Sequence, residues 1–195
     1  MARKIEQYSA KEVLCRQFLN NIFCREDLFI NYMALEDYYG KIDYGWHIYL
    51  KKQYVSHHRR SHPWKERFTN LIKSIEDNGY QADKYPLKLN EENGLILDGC
   101  HRFACVLYFN VKDIYCYGVP ISYYRADPKF TRKRIGEKCY FTGDELDLIV
   151  AKKIEIFEKL DMSKDYFKKD FIKEMKKRKK DILKKGIDFG NKYYE

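Results

Sequence analysis

Nowhere does this chain of 195 residues approach the roughly 20 consecutive apolar residues that a membrane-spanning helix needs. Its apolar stretch at 104–110 falls well short of that length. The first residues, Met1-Ala2-Arg3-Lys4-Ile5-Glu6, carry no apolar signal core, so a cytoplasmic location is the expectation. No C-x-x-C pair occurs among Cys15, Cys24, Cys100, Cys105, Cys116 and Cys139, which removes the usual zinc and thioredoxin-type spacing. Without an export signal these six are expected as reduced, mostly buried thiols. There is no internal repeat, and no helix-turn-helix unit follows the central region. What the chain has in quantity is aromatic residues: 18 Tyr and 12 Phe, within a hydrophobic share of 45%, exclude a chain that stays disordered. The length fits one domain with extensions.

The formal net charge of +9 points first to nucleic acid or an acidic membrane. Its placement weakens that reading, because residues 163–195 hold 12 basic and 6 acidic residues and leave a net of only +3 before them. That tail, centred on Lys176-Lys177-Arg178-Lys179-Lys180, carries Phe167, Phe171, Met175 and Ile182 at roughly helical spacing, as a solvated helix with one thin apolar stripe does. A docking or polyanion-binding segment is the other reading of it.

Ser9 with Glu12 three residues on has the capping-box pattern, and Val13, Phe18, Leu19, Ile22 and Phe23 follow at intervals of three to five, which predicts a four-turn helix over 9–29. Residues 32–45 are rich in aromatics and acids, and 46–54 read as a second helix. After the basic stretch Ser56-His57-His58-Arg59-Arg60-Ser61-His62-Pro63, the spacing of Phe68, Leu71, Ile72 and Ile75 predicts a helix over 64–78, stopped by Asn78-Gly79. Strands are expected at 85–89 and 95–97 around the turn Asn90-Glu91-Glu92-Asn93-Gly94. A helix buried in the core is expected from Phe103 to Phe109, a third strand at 114–119 and a further helix at 144–160. This describes a small mixed α+β fold with packed and flanking helices. The expected division is an accessory helical region at 1–55, a core at 56–130, a helical extension at 131–162 and a basic helical tail at 163–195.

Asp98-Gly99-Cys100-His101-Arg102 joins a strand directly to a helix, exposing first-turn N–H groups where the macrodipole is positive. Such a junction suits an anion. His101 and Arg102 are donors matched to phosphate oxygens, Asp98 suits a metal ion or an orienting role, and the thiol pKa of Cys100 is expected to fall at such a terminus. The structural alternative is that Asp98 caps the helix, Gly99 permits the turn, and His101 and Arg102 make ordinary hydrogen bonds.

The order helix, hairpin and Asp-Gly-Cys-His-Arg turn resembles the ParB/sulfiredoxin superfamily. The likeness runs from about Trp64 to Val119, under a third of the chain, through Glu66 to Ile75 with Asn78-Gly79, through Pro86-Leu87-Lys88-Leu89, and through Leu97-Asp98-Gly99-Cys100-His101-Arg102-Phe103-Ala104. It implies nucleotide binding, with the Gly-x-His-Arg turn wrapping the phosphates, and three chemistries. Gly99-Cys100-His101-Arg102 matches the turn of sulfiredoxins, which use ATP and the turn's Cys to repair a sulfinic acid, although Asp98 stands where those reductases have Gly. Asp98-Gly99-x-His101-Arg102 is similar to the Asp-Gly-His-His-Arg turn of free-serine kinases, which phosphorylate a small hydroxyl compound. ParB proteins are CTP-dependent DNA clamps, a reading that the four acids of 144–157 disfavour.

The kinase form implies ATP or ADP with Mg²⁺. It assigns Gly99, Cys100, His101 and Arg102 to the phosphates, with His101 and Arg102 stabilising the transferring group, Asp98 to metal or substrate, and an upstream acid, Glu36 or its neighbour Asp37, as base. It also implies a nucleotide-contacting face at Arg67, Asn70 and Ser74, which fall at i, i+3 and i+7 of one helix. Arg59 and Arg60 are further phosphate candidates, and His57, His58 and His62 suit a metal or a solvated loop. The resulting expectation is a small-molecule kinase with a nucleotide and a hydroxyl metabolite as partners, nucleic acid being disfavoured. A non-catalytic nucleotide-binding protein is the alternative of another class.

Overall fold

The capping box forms where the Ser9 spacing predicts it. Ser9 Oγ accepts the Glu12 N–H at 3.1 Å, and the Glu12 carboxylate accepts the Ser9 N–H at 2.9 Å. The computed structural model describes residues 5–18, 26–57, 63–81, 83–91, 94–119 and 141–162. Ahead of the cap, Ile5–Ser9 forms strand β1, which helical periodicity does not reveal. Helix α1 that follows is short, Ala10–Arg16, and Phe29 belongs instead to a separate helix α2, Glu26–Tyr38. The single helix expected over 9–29 is corrected accordingly. Apolar intervals of three to five run through both helices, so periodicity carries no mark of the break.

The remaining elements follow in the expected order: α3 Gly45–His57, α4 Trp64–Asn78, β2 Leu87–Asn90, β3 Ile96–Asp98, α5 Cys100–Tyr108, β4 Asp113–Val119 and α6 Gly143–Lys159. The basic stretch at 58–62 and the tail at 163–195 lie outside the described residues. The four strands make one mixed sheet in the order β1-β4-β2-β3. β2 and β3 are an antiparallel hairpin, β2 and β4 are parallel, and β1 pairs antiparallel with β4 from Ile5↔Tyr117 to Ser9↔Asp113. With six helices around this sheet among the described residues, the fold is α+β.

Helices α2 and α5 lie at the centre because each is apolar around most of its circumference. Phe103, Val106 and Leu107 of α5 join one cluster with Leu87, Leu89 and Ile114 of the sheet, while Ala104 and Cys105 join a second with Tyr49 of α3 and Phe68 and Ile72 of α4. α2 divides in the same way, Leu28 and Phe29 in the first cluster and Ile30, Met33 and Leu35 in the second. The N-terminal segment therefore contributes a sheet strand as well as helices, and residues 5–57 share both clusters with residues 64–119. No helix among the described residues is long and apolar enough to cross a membrane.

Two polar devices hold these layers in register. Gln17, 1% exposed, donates from Nε2 to the carbonyls of Val13 at 2.9 Å and Gly94 at 3.0 Å and accepts the Ile96 N–H at 2.9 Å. It thus ties the end of α1 to both sides of the β3 entry. On the far side, Lys153 of α6 reaches Glu26 of α2 at 3.2 Å with its ammonium 4.6 Å from the Phe18 ring centroid. Burial pushes the Glu26 carboxyl up to about 7, against the opposing pull of Lys153.

Gln17→Leu strands three buried backbone groups and is expected to lower stability by about 3 kcal/mol in urea unfolding. Because Glu26 binds its proton more tightly folded than unfolded, its contribution is full below the unfolded carboxyl pKa and is lost as pH rises through about 7. Glu26→Gln should flatten that decline when unfolding free energy is measured between roughly pH 4 and 8.

Candidate functional site

Sheet and helix meet at the β3–α5 turn. Gly99 sits at φ +102°, ψ 16°, in the left-handed region, and a Cβ there would lie 2.5 Å from Leu87 Cδ2 and 3.2 Å from Arg102 Nη2. Glycine alone fits both the dihedral and the space. The chain thereby leaves β3 and enters α5 with no intervening loop, bringing the positive end of α5 beside Asp98, the last residue of β3.

Arg102 organises the mouth of this turn. Its Nη1 donates to the carbonyls of Tyr85 at 2.8 Å and Pro86 at 3.3 Å, and its Nη2 to Asp98 Oδ2 at 3.1 Å. The Arg102 side chain is 20% exposed and that of Asp98 72%. Asp98 is therefore engaged by Arg102 and does not cap α5, contrary to the structural alternative offered by the sequence. Cys100, next to Gly99, is partly buried against the sheet-side cluster. The other described cysteines, Cys15, Cys105 and Cys116, are buried and free, and burial pushes each thiol up to about 12. Cys24 and Cys139 lie outside the described residues.

His101 points elsewhere. Its ring stands edge-on to Phe68, with centroids 4.7 Å apart, and its Nε2 lies 3.0 Å from the Tyr49 hydroxyl and 3.1 Å from Gln53 Nε2. An amide nitrogen can only donate, so this geometry makes Nε2 an acceptor and leaves the ring proton on Nδ1. The imidazole expected to face phosphate oxygens instead joins α5 to α3 and α4. Burial raises the Tyr49 hydroxyl to about 12, with Arg67 pulling it back down, so the field of Arg67 reaches this cluster. Asn70 and Ser74 lie with Arg67 on the exposed side of α4, opposite Phe68 and Ile72.

Glu36 is not brought to the turn. It is buried on α2 with Oε2 2.8 Å from Lys152 Nζ, and its carbonyl accepts the Lys41 N–H at 2.8 Å. Lys41 in turn lies 4.6 Å from the centroid of Tyr108, at the opposite end of α5, about 10 Å along the helix from His101. The expected base is an interior ion-pair partner, and its neighbour Asp37 accepts the Trp46 N–H at 2.9 Å. Among the described residues no three His, Cys, Asp or Glu side chains converge as a metal site. Asp98 alone fits Mg²⁺ of the kind that takes its other ligands from phosphates and water.

Sequence reasoning missed Tyr49 and Gln53, whose i, i+4 spacing on α3 is the one signal that they share a face. It also missed the carbonyls of Tyr85 and Pro86, which no side-chain pattern marks.

Comparison with known families, curated proteins and solved structures finds no match.

Gly99→Ala should destabilise the protein by about 2–4 kcal/mol in chemical unfolding, combining a left-handed φ with a clash at Leu87. Little or no loss would show that the turn relaxes at no cost.

Proposed function

We propose that this protein binds a nucleoside triphosphate or diphosphate through its phosphates at the Gly99–Arg102 turn and transfers a phosphoryl group to a small hydroxyl metabolite. The observation that carries this reading is the Arg102 latch. A guanidinium fixed on two backbone carbonyls is already oriented, and its remaining partner is an exposed carboxylate whose ion pair is worth little in water. Phosphate oxygens arriving at the positive end of α5 can take the place of Asp98 on Nη2 without rearranging the turn. Asp98, so released and exposed to solvent, would be the residue to hold a divalent ion. Mg²⁺, when bound, supplies neutralisation of the charge that builds on the phosphate oxygens.

The assignments are narrower than the resemblance to ParB/sulfiredoxin proteins implies. Arg102 stabilises the transferring group, Gly99 allows close approach of the backbone, and His101 acts as a positioning residue that fixes α5 through Tyr49 and Gln53. Glu36 has no part in the site. Phosphoryl transfer rests mainly on positioning and electrostatics, which suits a site built from a helix end, a guanidinium and one carboxylate. A second reading, ATP-dependent chemistry at sulfur, is favoured by one observation: Cys100, at the turn, is the one described cysteine that is not buried. The free thiols fit a cytoplasmic setting for either reading.

The test is thermal unfolding against ATP, ADP, CTP and GTP, each with and without Mg²⁺, followed by assay of phosphoryl transfer. A nucleotide at 100 times its Kd should add about 2.7 kcal/mol of stability, and Arg102→Ala should abolish that gain and cost more than about 10²-fold in rate. An adenine preference fits a kinase or a sulfur chemistry and a cytosine preference a clamp; Cys100→Ser then keeps most turnover in a kinase and loses all of it where sulfur attacks. No shift with any nucleotide overturns the assignment.

A further inference from the structure

Beside the Arg102 latch a large ring stands half open to water. Among the described residues the exposed large hydrophobic side chains are Tyr85 and Ile5, each at 50%, and Ile5 lies on the edge strand β1 with β4 between it and β2. An isolated apolar side chain at a surface is ordinary. Tyr85 differs because the backbone that carries it is pinned.

Both of its main-chain polar groups are engaged. The Tyr85 N–H donates to the Gln81 carbonyl at 3.0 Å, and the Tyr85 carbonyl accepts Arg102 Nη1 at 2.8 Å, with the Tyr80 hydroxyl 3.5 Å from the same oxygen. Pro86, whose own carbonyl is the second anchor of Arg102, disfavours a helical backbone at the residue before it. Tyr80 packs against the sheet-side cluster, whereas Tyr85 joins neither cluster. The chain thus fixes the base of this side chain and leaves its ring uncovered by the core. One contact to the ring comes from Lys84, itself exposed, whose ammonium lies 5.3 Å from the centroid. An exposed cation–π contact is weaker than the stacking of a nucleobase on an aromatic ring, so the lysine yields to a base. The ring stands one tyrosine side chain away from the carbonyl that Arg102 grips, a span that the sugar and phosphates of a nucleotide bridge.

We propose that Tyr85 is the stacking platform for the base of the nucleotide whose phosphates meet Arg102. This rests on the nucleotide reading above and adds the contact that separates a nucleotide from a free polyphosphate. Every base has a π-face, so a tyrosine ring takes purines and pyrimidines alike: it requires a base without choosing among them.

Isothermal calorimetry with the full chain tests it, using the magnesium complexes of ATP, CTP, GTP and tripolyphosphate, the last having neither base nor sugar. Tyr85→Ala, an exposed change, should weaken the nucleotide that binds best by about tenfold or more and hold tripolyphosphate within about twofold of its original Kd. Tyr85→Phe, which keeps the ring, should hold that nucleotide within about threefold. Equal weakening of nucleotide and tripolyphosphate by Tyr85→Ala overturns the proposal, because the substitution then acts through the Arg102 anchor. So does a nucleotide affinity that Tyr85→Ala leaves unchanged or that Tyr85→Phe also loses, and so does binding of tripolyphosphate alone. Each of those results leaves the phosphate site at the Gly99 turn standing. Failure of all four ligands to bind the unaltered protein overturns the nucleotide reading and this inference with it.

Discussion

One buried amide governs how this chain comes together. The three hydrogen bonds of Gln17 end on Val13, Gly94 and Ile96, so a single side chain fixes the last turn of α1 against the end of the β2–β3 hairpin. Those backbone groups lie away from water and need partners, which makes the contact obligatory rather than opportunistic. The direction of β3 depends on it, and Asp98 and Gly99 are where that strand ends. The same anchoring sets Arg16, the preceding residue, against Gly94 and Tyr8. The strand end that carries the Gly99 turn thus hangs on one polar contact in the interior.

The opposite flank is held by buried charge. Lys152 and Lys153 are successive residues of α6, yet both are buried and each meets a carboxylate of α2, Glu36 and Glu26 respectively. Adjacent residues on a helix diverge by about 100°, so the pair straddles α2 and resists both sliding and rotation of α6. Such pairs add little net stability over well-packed apolar residues, but breaking one leaves an uncompensated charge. Their contribution here is register: they settle which turn of α6 lies on which turn of α2.

Much of the fold was legible in the sequence because its signals are local. The Ser9 box, the apolar stripe of α4, the turn chemistry of the hairpin and the near-continuous apolarity of α5 each act within a few residues, and each element formed. What stayed hidden depends on distant partners. β1 holds Ile5 and Tyr8 in five residues between polar neighbours, and its identity comes from β4, more than 100 residues away. The end of α1 leaves no periodic trace, since Phe18 and Phe29 both serve the same cluster. In the site, the Gly99 turn could be read because a strand, a glycine and a helix are consecutive. The inward rotation of His101 could not, because it is decided by Tyr49, Gln53 and Phe68 on two other helices. Glu36 illustrates the same limit: the resemblance implies it as a base, and its actual partner, Lys152, lies more than 100 residues away.

The pairing of β1 with β4 bears on the order in which the chain can fold. The strand at residues 5–9 is made more than 100 residues ahead of its partner at 113–119. Loop closure over such a span is slow, and the parallel pairing of β2 with β4 must form around the same late strand. The local units, the β2–β3 hairpin and the helices, can assemble early, leaving closure of the sheet as the final step. Until β4 arrives, residues 5–9 have no strand to pair with, and an unpaired edge containing Ile5 and Tyr8 is open to pairing with another chain.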